Sequence, residues 1–488
     1  MIGHKVALGA ALLTALQLVV KFVDVISLVI MARLLTPADF GLVALAASVL
    51  LIVGAVTELS VGDVLVQRKV IEPGDVDTAF TLNLLRGLLV MFIILACAFP
   101  IAALYNDHRL ALLLCAMSLI PFVNSLASPA MVHFLHRLEY RPTAQLQIMG
   151  RLGGLVIAIA LAYGTGSYWA LIANQFVAQV ISTCYSYRIA PYRPRLRLEG
   201  ARSILHFAGW MTTSRIVSTV NLQSDRFLVG YILGKAQLGQ YTVGSDISSM
   251  TTYAFATPIM QTMFGGFSRL HGDAERMRAA YLKGQQLLVM AVLPFGFGMS
   301  AVADRLMPLL LGPNWDAAIS AVVWMAPVAA LQVLYLPMLS LAMALAQPRV
   351  LVVREVANLL MRLPVTLVGA WYYGFLGAII ARTVSGFAII LMTLMLGRRF
   401  LRLSVLQQIV NAWRSLTSAC IMAGAVLALK LGLPPMTGSL AQVVELGLII
   451  AAGMLVYVAT HLGLWWLAGR PDGAERFLFG MIQRRGKT

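Results

Sequence analysis

Two short stretches place ionisable side chains inside runs that are otherwise apolar. The first, LQLVVKFVDVISLVI (16–30), sets Lys21 and Asp24 in the middle of a helix-length hydrophobic segment. Thr14, Gln17, Lys21 and Asp24 are spaced by three, four and three, so they share one helical face. In the second, SRIVSTVNLQSDRFLVG (214–230), Ser214, Ser218, Asn221 and Asp225 line one face, and Arg215, Gln223 and Arg226 widen it. A charge at mid-bilayer depth costs about 2.5–3.5 kcal/mol on insertion scales, so such stripes turn toward a bundle interior or a wet cavity. Their chemistry is recognition rather than bond-making. Lys21, Arg215 and Arg226 offer cationic donors to an anionic group, and Gln17, Asn221 and Gln223 offer hydrogen bonds to hydroxyls. Asp24, Asp225 and Glu58 are tuning partners for these cations, or sites for a proton or a cation. The pairs Lys21–Asp24 and Asp225–Arg226 serve equally well as intramembrane links that hold helices and touch no ligand.

Four further arginines lie within expected spans and are secondary candidates for the site. Arg86 and Arg151 are a turn or two from an expected membrane edge, where snorkelling accounts for them, whereas Arg362 and Arg382 sit deeper. His206 and His461 have no companion His or Cys, and the four cysteines (Cys97, Cys115, Cys184, Cys420) fall in apolar runs without CxxC spacing. No metal site or cofactor is expected. There is no Ser–His–acid set, no Gly-rich phosphate loop and no Asp/Glu cluster on a sizeable loop, so an enzyme is not expected either.

Lipid is the solvent for most of this chain. Of its 488 residues, 60% are hydrophobic and 12% charged, about half the charged share of a soluble domain. Mean hydropathy is +0.83. Segments long enough to span number about fourteen, centred near 20, 52, 91, 120, 154, 178, 218, 251, 291, 328, 361, 386, 421 and 455. The first is read as a retained span and not a signal peptide, because Gln17, Lys21 and Asp24 interrupt it. Connections alternate in charge: those near 66–78, 134–142, 188–203, 265–283, 346–355, 397–414 and 468–488, with Lys5, hold 25 of the 37 lysines and arginines. The opposite connections hold only Arg33, Arg109, Lys235, Arg305 and Lys430. By the positive-inside rule both termini and the basic loops are cytoplasmic. The net charge of +17 is thus a rim facing anionic headgroups, densest in RIAPYRPRLRLEGAR (188–202), and nucleic-acid binding is not expected. No loop is long enough for a folded soluble domain.

The chain also repeats itself. LLTPADFGLVA (34–44) aligns with ILGKAQLGQYT (232–242) at an offset of 198, matching Gly41 to Gly239. WALIAN (169–174) resembles GAIIAR (377–382) at an offset of 208, which also aligns Arg141 with Arg349. A repeat of six spans returns the chain to the same side, so both copies insert with one orientation. The expected architecture is an all-α polytopic membrane protein. It has a six-helix lobe at 1–198, a second at 199–400, and two more helices with a basic tail at 401–488. Cavities between such lobes bind substrates, and rocking of the lobes gives alternating access.

ARLLTPADFGLVALA (32–46), followed by LVQRK (65–69), resembles the polysaccharide-transporter branch of the multidrug/oligosaccharidyl-lipid/polysaccharide exporter superfamily. Within that branch it is most similar to the flippases of bacterial exopolysaccharide and O-antigen synthesis. The resemblance implies movement of an undecaprenyl-diphosphate-linked oligosaccharide across the inner membrane, with a polymerase and a chain-length regulator as pathway partners and H+ or Na+ as a coupling ion. It does not fix the sugar, and it carries over no binding residues. The rival readings are a multidrug or metabolite antiporter of the same superfamily, expected to have a more acidic pocket, and a membrane polysaccharide polymerase.

Overall fold

The motif at 34–44 is a helix start. In the computed structural model, the Asp39 N–H donates to Thr36 Oγ1 at 3.3 Å and the Thr36 N–H donates to Asp39 Oδ2 at 3.0 Å. With Pro37 at the first helical position, this reciprocal capping fixes where the second helix begins. In the repeat copy, Gly234 stands where Thr36 does and adopts φ +82°.

The structure describes residues 19–58, 65, 72–137, 139, 141–198, 201–270, 272–345, 347–432, 438–471 and 473–476, with the backbone alone at 73, 201–214, 251, 254, 258, 261, 348 and 439. Thr14, Gln17, Lys5 and the Gln-Arg-Lys of 67–69 lie outside these residues, as do the side chains of Ser214 and His206. The helices are α1 (19–34), α2 (Pro37–Val56), α3 (Pro73–Leu104), α4 (His108–Ser125), α5 (Arg141–Thr165), α6 (Trp169–Ile189), α7 (Ala201–Leu233) and α8 (Lys235–Arg269). They continue with α9 (Ala274–Leu311), α10 (Asp316–Leu331), α11 (Leu336–Ala344), α12 (Pro348–Leu401), α13 (Val405–Asn411), α14 (Trp413–Gly432) and α15 (Ser439–Leu467). No strand occurs among the described residues.

Nine helical segments among the described residues are long and apolar enough to cross a membrane. One of them, α12, is two spans joined at Gly374, whose φ of +60° breaks the helix. Adding α1, whose described part is short, and α6, α7 and α8, whose polar faces dilute their hydropathy, is consistent with the expected fourteen. The protein is a multi-pass, all-α membrane protein. Several expected loops are instead helix: α12 begins at Pro348, so most of 346–355 is its first turns. Likewise, α8 and α9 absorb much of 265–283.

The chain divides into two compact units, Met1–Gly239 and Gln240–Thr488. This division follows packing and falls one helix beyond the repeat boundary expected at 198/199, because α7 packs on α2 within the first unit. In that unit α5 and α6 pack closely, with Gly150 and Gly154 on α5 set against Ala178 and Asn174 of α6. Small residues four apart let two backbones approach in lipid. The basic segment after α6 is anchored through Tyr192, which donates to Asp77 Oδ1 at 2.7 Å. Burial, then this hydrogen bond, pushes the Tyr192 hydroxyl up to about 12, so it remains a donor at neutral pH.

The core of the second unit gathers Leu288, Val289, Val292 and Leu293 of α9 against Val333, Leu334, Ala419, Met422 and Tyr457. Beside it runs a polar network. Gln285 donates to the Leu334 carbonyl at 2.8 Å, Asn411 to Gln285 Oε1 at 3.0 Å, Gln286 to Asn411 Oδ1 at 2.8 Å and Tyr281 to Gln408 Oε1 at 2.9 Å. Buried polar groups need such partners, and here they lock α13 and the start of α14 onto α9. The segment after α15 joins the same network: Glu475, 4% exposed, bonds Arg414 at 3.0 Å and His461 at 3.1 Å. Burial pushes the Glu475 carboxyl up. The His461 hydrogen bond and the charge of Arg414 outweigh burial and hold the carboxyl below its ordinary range.

Candidate functional site

The polar stripe of α1 becomes a three-residue cluster. Asp24, 19% exposed at its side chain, lies 3.0 Å from Arg151 of α5 and 3.9 Å from Lys21. Two cations on one carboxylate leave a net positive charge, and both Lys21 and Arg151 are more than half exposed. Arg151, a secondary site candidate for which the sequence also offered snorkelling, thus pairs with Asp24. Asn174 of α6 donates to Ser27 Oγ at 2.9 Å, one turn along α1, and fixes that face.

A second cluster joins α2, α3 and α7. Arg215 forms an ion pair with Glu58, both side chains being partly exposed. Arg86 of α3 donates to the Gly54 carbonyl at 3.2 Å and is within electrostatic reach of Glu58 and Arg215. Both guanidinium groups thus lie within electrostatic reach of the Glu58 carboxylate. Arg226 stands eleven residues beyond Arg215, three helical turns on the same side of α7, and is half-buried. Asn221, Gln223, Ser224 and Asp225 are buried. Gln223 accepts from the Ser48 hydroxyl of α2 at 3.0 Å, so its amide ties α7 to α2.

The far end of α7 is clamped as well. Tyr105 donates to the Phe227 carbonyl at 3.0 Å and packs edge-on against Tyr231. In the α3–α4 turn, Asp107 accepts from Arg109 at 3.0 Å and from Lys235 Nζ at 2.7 Å. The Arg109 hydrogen bond, with that of Lys235, outweighs burial and holds the Asp107 carboxyl far below the usual carboxylate range.

In the second unit, Arg362 is buried (6% exposed) and Arg382 half-buried, on the two arms of α12. They belong to a longer set. Arg354 (5%), Asn358 (8%), Arg362 and Thr366 (0%) recur every four residues along the first arm. The guanidinium of Arg354 lies 4.9 Å from the Tyr335 ring centroid and bonds Glu355. Arg354 was missed from sequence because 346–355 reads as a basic loop, and Asn358 because a lone Asn within a span carries no charge signal. Pro348 was the available signal: a proline at the first helical position starts the helix early enough to align the four residues. Among the described residues no cluster of three His, Cys, Asp or Glu side chains could hold a metal ion.

Residues 30–320 match the family described as polysaccharide biosynthesis protein. The chain belongs to that family. Among curated relatives, the succinoglycan biosynthesis transport protein ExoT of Rhizobium meliloti (strain 1021) is 27% identical over 300 residues, 61% of this chain and 60% of that protein. The chain therefore spans less than two thirds of that relative's length. The lipopolysaccharide biosynthesis protein WzxC of Escherichia coli (strain K12) is 22% identical over 384 residues, 77% of each chain. Among solved structures, the lipid II flippase MurJ in an inward closed conformation superposes with a TM-score of 0.73 at 12% identity, over 94% of this chain and 100% of that one. The fold is thus shared with MurJ along nearly the whole chain, and the resemblance carried by residues 32–46 and 65–69 holds.

Proposed function

We propose that this protein is a flippase for undecaprenyl-diphosphate-linked oligosaccharide repeat units of an exopolysaccharide, O-antigen or capsule. It works in the bacterial inner membrane with both termini cytoplasmic, and it is a transporter and not an enzyme. The observation that carries this reading is that the charged clusters inside the spans of both units are led by arginine: Arg215 with Arg86 in the first, Arg354 with Arg362 and Arg382 in the second. A lipid-linked sugar leaves its polyprenyl tail in the bilayer, while its diphosphate and sugars must cross an apolar layer. Arginine suits that task, because its planar fork binds phosphate oxygens in pairs and keeps its charge when partly dehydrated.

Lys21, Arg215 and Arg226 are the cationic contacts in this reading, with Gln17 and Asn221 for sugar hydroxyls and Gln223 holding α7 in place. Glu58, Asp24 and Asp225 keep the cations from being too attractive to release a substrate. They are also where a coupling H+ or Na+ would act. The two repeated lobes, 1–198 and 199–400, alternate access to the two leaflets, and a polymerase and a chain-length regulator act on the product outside. The curated relatives named for polysaccharide transport and biosynthesis support this reading over a multidrug antiporter, as does the arginine surplus.

The test is deletion of the gene in a strain without a redundant carrier. Lipid-linked oligosaccharide should then accumulate on the inner leaflet and return to normal on complementation. Undiminished export in the deletion strain would overturn the assignment.

A further inference from the structure

The segment that follows α6 is fastened at three points, through backbone groups and one tyrosine. The Ser128 hydroxyl donates to the Ala190 carbonyl at 2.7 Å. Tyr192 donates to the buried Asp77 of α3 and packs on Phe80, with ring centroids 5.7 Å apart. The Arg197 backbone N–H donates to Thr81 Oγ1, also on α3, at 2.9 Å. Yet every side chain of 193–198 is exposed, Leu196 at 70% and Leu198 at 56%. A chain this firmly held presents its arginines and leucines at fixed heights.

Those heights are set by α3. Its 32 residues rise about 48 Å, against a hydrocarbon layer of about 30 Å. Polar residues crowd its start, with Asp75, Asp77, Thr78, Thr81 and Asn83, whereas 84–104 is apolar but for Arg86 and spans about 31 Å. With 84–104 in the hydrocarbon, Thr81 lies about 4.5 Å and Asp77 about 10.5 Å beyond its edge. The headgroup layer is ~5–8 Å deep on each side, so these two anchors bracket it. The end bonded to Thr81, which carries Leu196 and Leu198, is the deeper one. Arg193 and Arg195 stand nearer the end bonded to Asp77. Apolar side chains closest to the acyl chains, with cations further out, is the order of an interfacial anchor.

We propose that 193–198 is a docking surface for anionic phospholipids of the leaflet that the basic loops face. Arg193 and Arg195 pair with the phosphates, and Leu196 and Leu198 enter the top of the acyl layer. Arg197 has a further partner within the chain, so the other two arginines carry the attraction. The leucines at the hydrocarbon side select a lipid surface over an acidic protein, which would meet them in water. Position distinguishes this surface from a general basic rim: the anchors on α3 fix which residues meet phosphate and which meet acyl chain. The surface is independent of what the protein transports.

The experiment uses the full chain in nanodiscs of phosphatidylcholine with a minor fraction of phosphatidylglycerol. A photo-crosslinking residue, p-benzoylphenylalanine, replaces Leu196, and the lipid adducts are identified by mass spectrometry. Phosphatidylglycerol should be over-represented among the adducts relative to its share of the disc. Arg193→Gln and Arg195→Gln should each lower that enrichment, by up to about fivefold per charge removed. Tyr192→Phe alters no charge but frees the segment from Asp77, and it should lower the enrichment too. Thr81→Val, which removes the other anchor on α3, makes the same test should Tyr192→Phe not fold. Absence of lipid adducts, or adducts that merely follow the composition of the disc, overturns the docking surface. Enrichment that falls with the arginines but ignores both anchor variants also overturns it, leaving diffuse charge in its place. Export plays no part in these measurements, so their failure leaves the transport reading standing.

Discussion

Gly41 and Gly239, equivalent residues of the repeated turn, press each against the other's helix. A β-carbon at Gly41 would strike the Lys235 carbonyl, and one at Gly239 would strike the Pro37 carbonyl. Lys235 is itself the repeat equivalent of Pro37, so the contact is the same when the two copies are exchanged.

Because backbone carbonyls and not flexible side chains block both positions, no rotamer change can relieve an added methyl. Gly41→Ala and Gly239→Ala should each destabilise the protein by about 1–3 kcal/mol. Once one substitution has parted the helices, the second should cost less, so the double variant should fall short of the sum. Thermal unfolding of the four proteins in detergent checks this, and additive effects would show that the two glycines are independent.

Arg215→Ala should reduce export strongly while the amount of protein in the membrane stays unchanged. Arg215→Lys should restore part of it, since the charge returns without the planar fork. Glu58→Gln should be milder, because Arg86 and Arg215 both remain. Immunoblots of the membrane fraction beside export assays separate these outcomes, and loss of export only through loss of protein would assign Arg215 a structural role.

Asp107 has a carboxyl held far below its usual range by Arg109 and Lys235. A lowered folded-state value stabilises the protein above the unfolded value, near 4, and this contribution fades as pH falls through and below that point. The stability gap between wild type and Asp107→Asn should therefore be flat from pH 7 to about 4.5 and shrink in more acid solution. Melting curves across that range would exclude the linkage if the gap stayed constant to pH 3.

Glu475→Ala leaves Arg414, 7% exposed, without its carboxylate. Breaking one side of a buried pair costs about 3–5 kcal/mol, whereas removing both charges costs much less. Glu475→Met with Arg414→Met should thus be more stable than Glu475→Ala alone. Thermal unfolding of both variants in detergent checks the order, and a double variant no better than the single would show that the charges are not coupled.

Much of this molecule was written in residue order. Hydropathy, the Arg/Lys alternation of the loops, the turn at 34–44 and the repeat at an offset of 198 required no structure, because an all-helical chain in lipid must satisfy its backbone within each span and charge biases which loops stay inside. The charged stripes of α1 and α7 were visible for the same reason: a charge in an apolar run has few explanations. Sequence could not decide their partners. That Asp24 draws in Arg151, that Glu58 holds Arg215 and that Gln223 turns to Ser48 depends on which helices are neighbours, and helical spacing within one segment says nothing of the facing one. Arg354 was hidden in another way: as a loop residue it is a topology signal, and only the start of α12 at Pro348 and the close crossing at Gly369 and Gly377 make it a buried cation beside Arg382.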